Sequence, residues 1–285
     1  MYVMGIYSGW FRVNHTFTKY ALKSHVGDCS DFLSPHILPF ANGVDDIPRV
    51  LEMSRLCRIT VGDVKNASTI HIQTLVIERM AYERGIFGQL QRDNVQKEFI
   101  GGLVLEPIVG VYEDGPVLVL DFVSLYPSIM IEYGICITDD KIIPEYMKSI
   151  KDARVKLKNE NSTDKYVIAR QQSLKFMMNS LYGCLGSTFF PYYNPRVASR
   201  ITEIGRQLLV ETRDFIEKKG LRVIYGDTDS LFIYIPSTTR ENAISIIRPV
   251  MEEINSKYSH VRLSMDTVAD KMILIFLVSI LYLRI

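Results

Sequence analysis

Residues 221–235 read LRVIYGDTDSLFIYI. Two runs rich in branched and aromatic residues flank a polar centre, GDTD at 226–229, which is the pattern of a β-hairpin. Upstream, PVLVLDF at 116–122 is a short continuous apolar run, typical of a buried strand that delivers one carboxylate near its end. The predicted strands and their turn carry three aspartates: Asp121, Asp227 and Asp229.

Helical patterns lie between these strands. Pro127 opens a short helix, because proline is favourable in a first turn. Residues 144–158 and 164–183 read as two helices joined by a turn-like NENS, which predicts a helical hairpin that ends at a glycine. Residues 197–219 form a further amphipathic helix closed by Gly220. This order of elements predicts an α+β fold, in which helices back an antiparallel-rich sheet and a helical hairpin projects from it.

The charge of the chain is unevenly distributed. The net charge of +1 over 285 residues conceals −6 in residues 1–140, +7 in residues 141–220 and balance in residues 221–285. A basic centre is typical of a site for a polyanion, although a solvated helical face explains the same charges. With 47% hydrophobic residues and a mean hydropathy near zero, the chain is neither a disordered polar tract nor a membrane bundle.

The cysteines and the last apolar run argue against zinc-binding, disulfide-rich and membrane-spanning proteins. No CxxC pair is present and no histidine cluster accompanies a cysteine, which argues against a zinc site or a disulfide scaffold. Residues 272–283, MILIFLVSILYL, would rise only about 18 Å as a helix, too little for a bilayer core of about 30 Å. We expect a buried strand or helix without its partners there, with a tail anchor as the alternative.

The three aspartates indicate metal chemistry. Half-buried carboxylates are costly unless they are paired or bind a cation, and Asp and backbone oxygens are ligands that Mg²⁺ prefers. Carboxylates from two sheet elements can hold two Mg²⁺ about 3.5–4 Å apart, an arrangement that serves phosphoryl transfer. Taken alone, Asp-Thr-Asp in a hairpin is better explained as ordinary turn chemistry.

The helical hairpin carries cations at helical spacing. Lys175, Asn179 and Tyr182 follow i, i+4, i+7 spacing and share one face, and Arg154 and Lys158 share a face of the preceding helix. Such cations can clamp a triphosphate, and the flat ring of Tyr182 can lie against a base pair. The alternative is a solvated amphipathic hairpin with Tyr182 in the core.

Three segments together resemble a known family. DFVSLYPSIM at 121–130, KFMMNSLYG at 175–183 and YGDTDS at 225–230 resemble motifs A, B and C of the family B DNA polymerases, in the family's order. GGLVLEP at 101–107 resembles the segment that leads into motif A in eukaryotic replicative members. With LYPSI and NSLYGCLG, it points to the primase-associated subfamily, and the resemblance covers about residues 46–270.

The resemblance implies a metal-binding role for the acidic residues. Asp121 and Asp229 match the family's two metal-binding aspartates. Asp227 matches the neighbouring motif C aspartate, whose part in catalysis is less direct. The carbonyl of Phe122 matches a main-chain metal ligand. The implied cofactor is a pair of Mg²⁺ ions.

The resemblance also implies nucleotide-binding roles. Tyr126 matches the residue that sits under the incoming sugar and excludes a 2′-hydroxyl, and Tyr182 matches a residue that lines the nascent base pair. The positions that match triphosphate-binding residues are Arg154, Lys158, Lys175 and Asn179.

The implied activity is that of a DNA-directed DNA polymerase in DNA replication. A primer 3′-hydroxyl would attack the α-phosphorus of a dNTP and release pyrophosphate. The implied partners are template-primer DNA, dNTPs and replication accessory subunits, with no membrane. The implied localisation is nuclear for a cellular eukaryotic enzyme, with a viral origin as the alternative.

The resemblance also predicts the domain organisation. Residues 1–45 stay unassigned, residues 46–140 form the first part of a polymerase palm with motif A, and residues 141–182 form the helical-hairpin fingers. Residues 183–270 form the second part of the palm with motif C, and residues 271–285 form an aberrant apolar C-terminus.

One departure from the family leaves alternatives open. In family members, motif C is followed by a lysine-rich segment that binds the primer and then by a thumb domain. In this sequence only Lys271 corresponds to those lysines. We therefore expect the thumb to be missing. A catalytically inactive or impaired DNA- or nucleotide-binding fragment is therefore the alternative function. A polymerase that copies RNA fits less well, because those enzymes usually carry a shorter acidic turn and Tyr126 favours deoxynucleotides.

Overall fold

The computed structural model of the chain describes residues 2–6 (backbone only), 47–95, 100–160 and 162–276. The strands are β1 (Tyr2–Ile6), β2 (Val104–Leu105), β3 (Gly110–Tyr112), β4 (Val117–Phe122), β5 (Arg222–Asp227), β6 (Ser230–Tyr234), β7 (Leu263–Ala269) and β8 (Met272–Phe276). The helices are α1 (Ile47–Cys57), α2 (Val61–Asn66), α3 (Thr69–Glu83), α4 (Leu125–Tyr133), α5 (Ile142–Asn159), α6 (Lys165–Leu185), α7 (Pro195–Lys218) and α8 (Arg240–Asn255). The predicted α+β class is confirmed.

The chain forms two compact units. The sheet unit comprises the described residues of 1–26, 102–125 and 204–285, and the helical unit comprises those of 27–101 and 126–203. Each unit therefore collects segments that are distant in sequence.

A five-stranded antiparallel sheet dominates the sheet unit. Its strand order is β2-β5-β6-β4-β7, and every neighbouring pair is antiparallel. The hairpin expected at 221–235 is β5 and β6, and the apolar run at 116–122 is β4, whose apolar side chains are all buried. The alternation of side chains across the pleat places Tyr225 and Phe232 in the core, with ring centroids 5.4 Å apart.

The described part of the C-terminal apolar run has partners, so the expectation of a strand without them is wrong for these residues. Strand β8 pairs antiparallel with β3 and parallel with β1 in a three-stranded sheet. Met272 and Leu274 are buried in the core of the sheet unit, which is why the sequence there is apolar. Residues 277–285 lie outside the described residues, as do 7–46, which include most of the segment that the sequence left unassigned.

Helix α6 is the centre of the helical unit, because α1, α3 and α5 all pack against it. Buried polar contacts reinforce this packing: Gln73 Nε2 on α3 donates to the Ser180 Oγ at 2.7 Å and to the Met177 carbonyl at 3.1 Å. The predicted helical hairpin is therefore confirmed as α5 and α6, within a unit that also contains α1 and α3.

Two predicted helix boundaries are wrong. Helix α6 does not end at Gly183 but continues to Leu185, because Cys184 and Leu185 are buried and hold the last turn in the core. The capping glycine is Gly186, whose N–H donates to the carbonyls of Tyr182 and Cys184. Helix α4 begins two residues before Pro127, which still lies in the first turn, where a missing N–H breaks no helical bond. In the part of the chain that the structure describes, no helix is long and apolar enough to cross a membrane.

Candidate active site

The sheet places two of the predicted aspartates level with one another. Asp121 on β4 and Asp227 on β5 both pair in register with Ser230 on β6, the strand between them. Residues in register across adjacent strands project to the same face, and two strand spacings separate their Cα atoms by about 10 Å. The two carboxylates therefore flank one position at the end of the sheet.

Backbone hydrogen bonds fix the third aspartate beside the other two. Asp229 follows β5 in the turn, and its carbonyl accepts a bond of 2.8 Å from the Phe122 N–H at the end of β4. On the other side of β4, the Ser264 Oγ donates to the Asp121 carbonyl at 3.2 Å. Motifs A and C are thus joined by main-chain contacts and not only by sheet register.

The acidic group carries electrostatic strain. Burial, together with the charge of Asp227, raises the pKa of Asp229 from its usual 3.8 to about 6. Burial also raises the pKa of Asp227. A hydrogen bond of 2.8 Å donated by the Thr228 hydroxyl acts in the opposite direction and lowers this pKa. A bound cation would stabilise the ionised form of two such adjacent carboxyl groups.

The oxygen donors of this site are of the type that binds a hard divalent cation. Asp121, Asp227 and Asp229 lie at the same end of the sheet, and burial raises the pKa of Asp227 and of Asp229. Within the described residues, however, no group of three or more acidic, histidine or cysteine side chains is arranged closely enough to hold a metal ion. Cation binding would therefore have to draw the carboxylates together.

The two predicted nucleotide-site tyrosines are in contact. The ring centroids of Tyr126 on α4 and Tyr182 on α6 lie 4.3 Å apart, with their planes inclined at 41°. Both side chains are only half-buried, so the pair keeps an accessible surface. Tyr182 is thus neither fully buried in the core nor fully exposed, and its ring packs on that of Tyr126.

The predicted triphosphate residues lie on the two packed helices of the hairpin. Lys175 and Asn179 are exposed on α6, and Lys158 is exposed on α5. Arg154 differs, because burial lowers its pKa and its buried Nε has no hydrogen-bond partner among the described residues. The Gln171 side chain donates to the Leu157 carbonyl at 2.9 Å and holds α5 and α6 together close to these cations.

One functional contact was missed by sequence reasoning. The Thr228 N–H donates to the Leu103 carbonyl at 2.8 Å, so the segment just before β2 holds the acidic turn. Thr228 also has a φ of 53°, in the left-handed region that β-branched residues avoid. The available signal was the glycine pair at 101–102, to which sequence reasoning gave no structural role.

The comparison with known proteins defines the class. The model of DNA polymerase family B matches residues 63–139 and 139–276, three quarters of the chain, and the chain belongs to this family. The motifs at 121–130, 175–183 and 225–230 all lie within the matched residues.

Similar proteins indicate the subfamily. The chain is 34% identical over 214 residues to the DNA polymerase alpha catalytic subunit of Mus musculus, a match that covers 62% of this chain and 14% of that protein. It is 37% identical over 199 residues to the corresponding protein of Arabidopsis thaliana, covering 62% and 13%, and 34% identical over 204 residues to that of Drosophila melanogaster, covering 62% and 14%. The chain therefore resembles the catalytic subunits of DNA polymerase alpha, and it spans about one seventh of the length of these relatives.

Proposed function

We propose that the chain performs the nucleotidyl transfer of a DNA-directed DNA polymerase, adding dNTPs to a primer 3′-hydroxyl under the direction of a template. The observation that carries the proposal is the position of Asp121 and Asp227 on either side of Ser230, with Asp229 tied to β4 beside them. Family membership supports this assignment, because the relatives are named as polymerase catalytic subunits.

The acidic residues would hold the metal cofactor. Asp121, Asp229 and the carbonyl of Phe122 are the proposed ligands of two Mg²⁺ ions, and Asp227 stands next to them. Bound Mg²⁺ would lower the pKa of the primer hydroxyl and neutralise the charge that develops during transfer. The chain's own contribution is to keep these carboxylates in one place, and a bound cation would favour their ionised form against the effect of burial.

The residues of the helical unit would bind and orient the nucleotide. Lys175, Lys158 and Asn179 present exposed polar ends to the phosphates. Arg154 would add the partnerless Nε of its guanidinium, because an anionic oxygen satisfies a buried donor. In this proposal the ring of Tyr182 lies against the nascent base pair, and Tyr126, which it contacts, lies under the sugar and rejects a 2′-hydroxyl.

In this proposal the palm is formed by residues 46–140 and 183–270 and contains the five-stranded sheet, and the hairpin of 141–182 is the fingers. These bounds differ from those of the compact units, because the described residues of 46–101, 126–140 and 183–203 belong to the helical unit. Template-primer DNA, dNTPs and replication accessory subunits are the proposed partners, and a nucleus is the proposed location if the protein is a cellular eukaryotic enzyme.

A second candidate is a DNA- or nucleotide-binding protein without catalysis. One observation favours it: within the described residues, the carboxylates do not form a closed metal site.

Primer extension separates the two candidates. The purified chain is incubated with a labelled primer-template, Mg²⁺ and the four dNTPs, and binding of the same duplex is measured in parallel by fluorescence anisotropy. Template-directed extension supports the polymerase. Duplex binding without extension, across a range of enzyme concentrations, supports the non-catalytic candidate and contradicts the first.

A further inference from the structure

We infer that Gly102 is a positioning residue for the acidic turn: the absence of a side chain at this position lets the backbone before β2 lie against Thr228 and hold Asp227 and Asp229 in place. This inference rests on the proposed function for its catalytic consequence. Its geometric part concerns only contacts within the sheet unit.

The space at Gly102 is fully occupied by its neighbour. A Cβ placed on Gly102 would clash with the Thr228 Oγ1 and would lie 3.0 Å from its Cγ2 and 3.1 Å from its Cβ. Any larger residue at position 102 must therefore displace Thr228 or the strand.

Thr228 cannot relieve the clash by a simple rotation. Its hydroxyl donates to the Asp227 carboxylate at 2.8 Å, and its N–H donates to the Leu103 carbonyl at 2.8 Å. A β-branched side chain has few χ1 alternatives, and this residue already occupies the left-handed region with a φ of 53°. Such a conformation persists only where surrounding contacts impose it, and the segment beginning at Gly102 provides these contacts.

Strand β2 also holds the residues that precede the acidic turn. Strand β2 has only two residues, and they pair with the end of β5: Val104 with Asp227 and Leu105 with Gly226. A Cβ on Gly226 would lie 2.9 Å from Leu105 Cδ1 and 2.8 Å from Leu231 Cδ2, so close approach is required at this position as well. The short edge strand therefore acts on the residues that lead directly into the acidic turn.

The chain offers a matched control. Gly101 is the preceding glycine, and a Cβ added there meets no atom within 4 Å. Gly101→Ala therefore changes the same backbone freedom as Gly102→Ala without the clash, and we expect it to leave activity and local structure unchanged.

The test combines kinetics with hydrogen exchange on the full chain. We expect Gly102→Ala to lower kcat for single-nucleotide extension by about 10²-fold with little change in KM for dNTP, because misplacing catalytic groups by about 1 Å has an effect of this size. We also expect the Thr228 amide, measured by NMR, to exchange faster in this variant and to keep its wild-type rate in Gly101→Ala.

A second substitution guards against a general folding defect. Thr228→Ala removes the two atoms closest to the added methyl, so Gly102→Ala should cost much less kcat in that background than in the wild type. Restoration of this kind identifies the contact itself, because it is not expected from a globally unfolded variant.

Each outcome bears on the proposal. Wild-type kcat and wild-type Thr228 exchange in Gly102→Ala would overturn it, and so would an equal loss in the presence and absence of Thr228→Ala. If the wild-type chain extends no primer, the proposed function fails, and the exchange rate of the Thr228 amide alone then decides the positioning role.

Discussion

Tyr126 and Tyr182 stand in ring-to-ring contact, with centroids 4.3 Å apart, although 56 positions separate them in the sequence. The contact joins the residue expected to sense the sugar to the residue expected to line the base pair. Offset or tilted aromatic pairs at this distance are stabilising beyond their buried area. The position of Tyr126 is therefore set in part by Tyr182.

Removal of the Tyr126 ring should relax sugar selection. We expect Tyr126→Ala to raise the ratio of ribonucleotide to deoxynucleotide incorporation about tenfold or more, because space opens where a 2′-hydroxyl would clash. Single-nucleotide extension with matched dNTP and rNTP measures this ratio. Tyr166→Ala, at an exposed tyrosine near the start of α6, is the control that should not change it.

Neutralising Asp229 should stabilise the metal-free protein while abolishing extension. The folded-state pKa of about 6 exceeds the usual 3.8, so the ionised side chain opposes folding. The stability associated with this group is fully present below about pH 4 and is lost as pH rises through about 6. Asp229→Asn removes that loss, which is worth up to about 3 kcal/mol at neutral pH.

Denaturant unfolding in a chelating buffer at pH 4.5 and pH 7.5 checks this expectation. The gain in unfolding free energy for Asp229→Asn should be larger at pH 7.5. Asp266→Asn is the matched control, because Asp266 is an exposed acid on β7 of the same sheet. If Asp229→Asn lowered the free energy of unfolding at pH 7.5, the negative charge of Asp229 would be stabilised by other groups of the folded protein, which would contradict this expectation.

Loss of the Lys175 ammonium should weaken the use of nucleotide. A hydrogen bond to a charged group contributes about 1.5–3 kcal/mol, so Lys175→Ala should lower kcat/KM for dNTP by about tenfold to a hundredfold. Steady-state single-nucleotide extension gives this ratio. Lys156→Ala, at an exposed lysine of α5 between Arg154 and Lys158, should stay within a factor of about two of the wild type. If the two substitutions had equal effects, Lys175 would contribute only to the overall positive charge and would have no specific contact with the nucleotide.

The core behind the motif C hairpin should be sensitive to truncation. Phe232 is 1% exposed and packs edge-on against Tyr225, which precedes the acidic turn. Phe232→Ala should lower the free energy of unfolding by about 3–5 kcal/mol, because it removes a buried ring and leaves a cavity. Chemical denaturation measures this change, and a loss below about 1 kcal/mol would show that the hairpin is not part of the cooperative core.

The sequence predicted the elements that rest on local patterns. Apolar continuity identified β4, two runs rich in branched and aromatic residues around GDTD identified the β5–β6 hairpin, and helical patterns identified α5 and α6. The end of α6 could not be predicted, because Gly183 is a strong stop signal only where the following residues are exposed. Here Cys184 and Leu185 are buried by packing that no local pattern reports.

The members of the candidate site were proposed from the sequence, but their arrangement could not be. The spacing of Asp227 and Asp229 indicated the acidic turn, whereas the alignment of Asp227 with Asp121 depends on the register of β4 and β5 with β6. The contact of Gly102 with Thr228 joins residues 126 positions apart and involves a glycine, whose role lies in the space that it leaves open. Such a role leaves no chemical signature in the sequence.

The most direct test of the account is addition of a single complementary nucleotide to a primer by the wild-type chain and by Asp121→Asn, with Asp266→Asn as control, in Mg²⁺. The account predicts template-matched addition by the wild type and by Asp266→Asn, and none by Asp121→Asn. Addition by Asp121→Asn at the wild-type rate would contradict it.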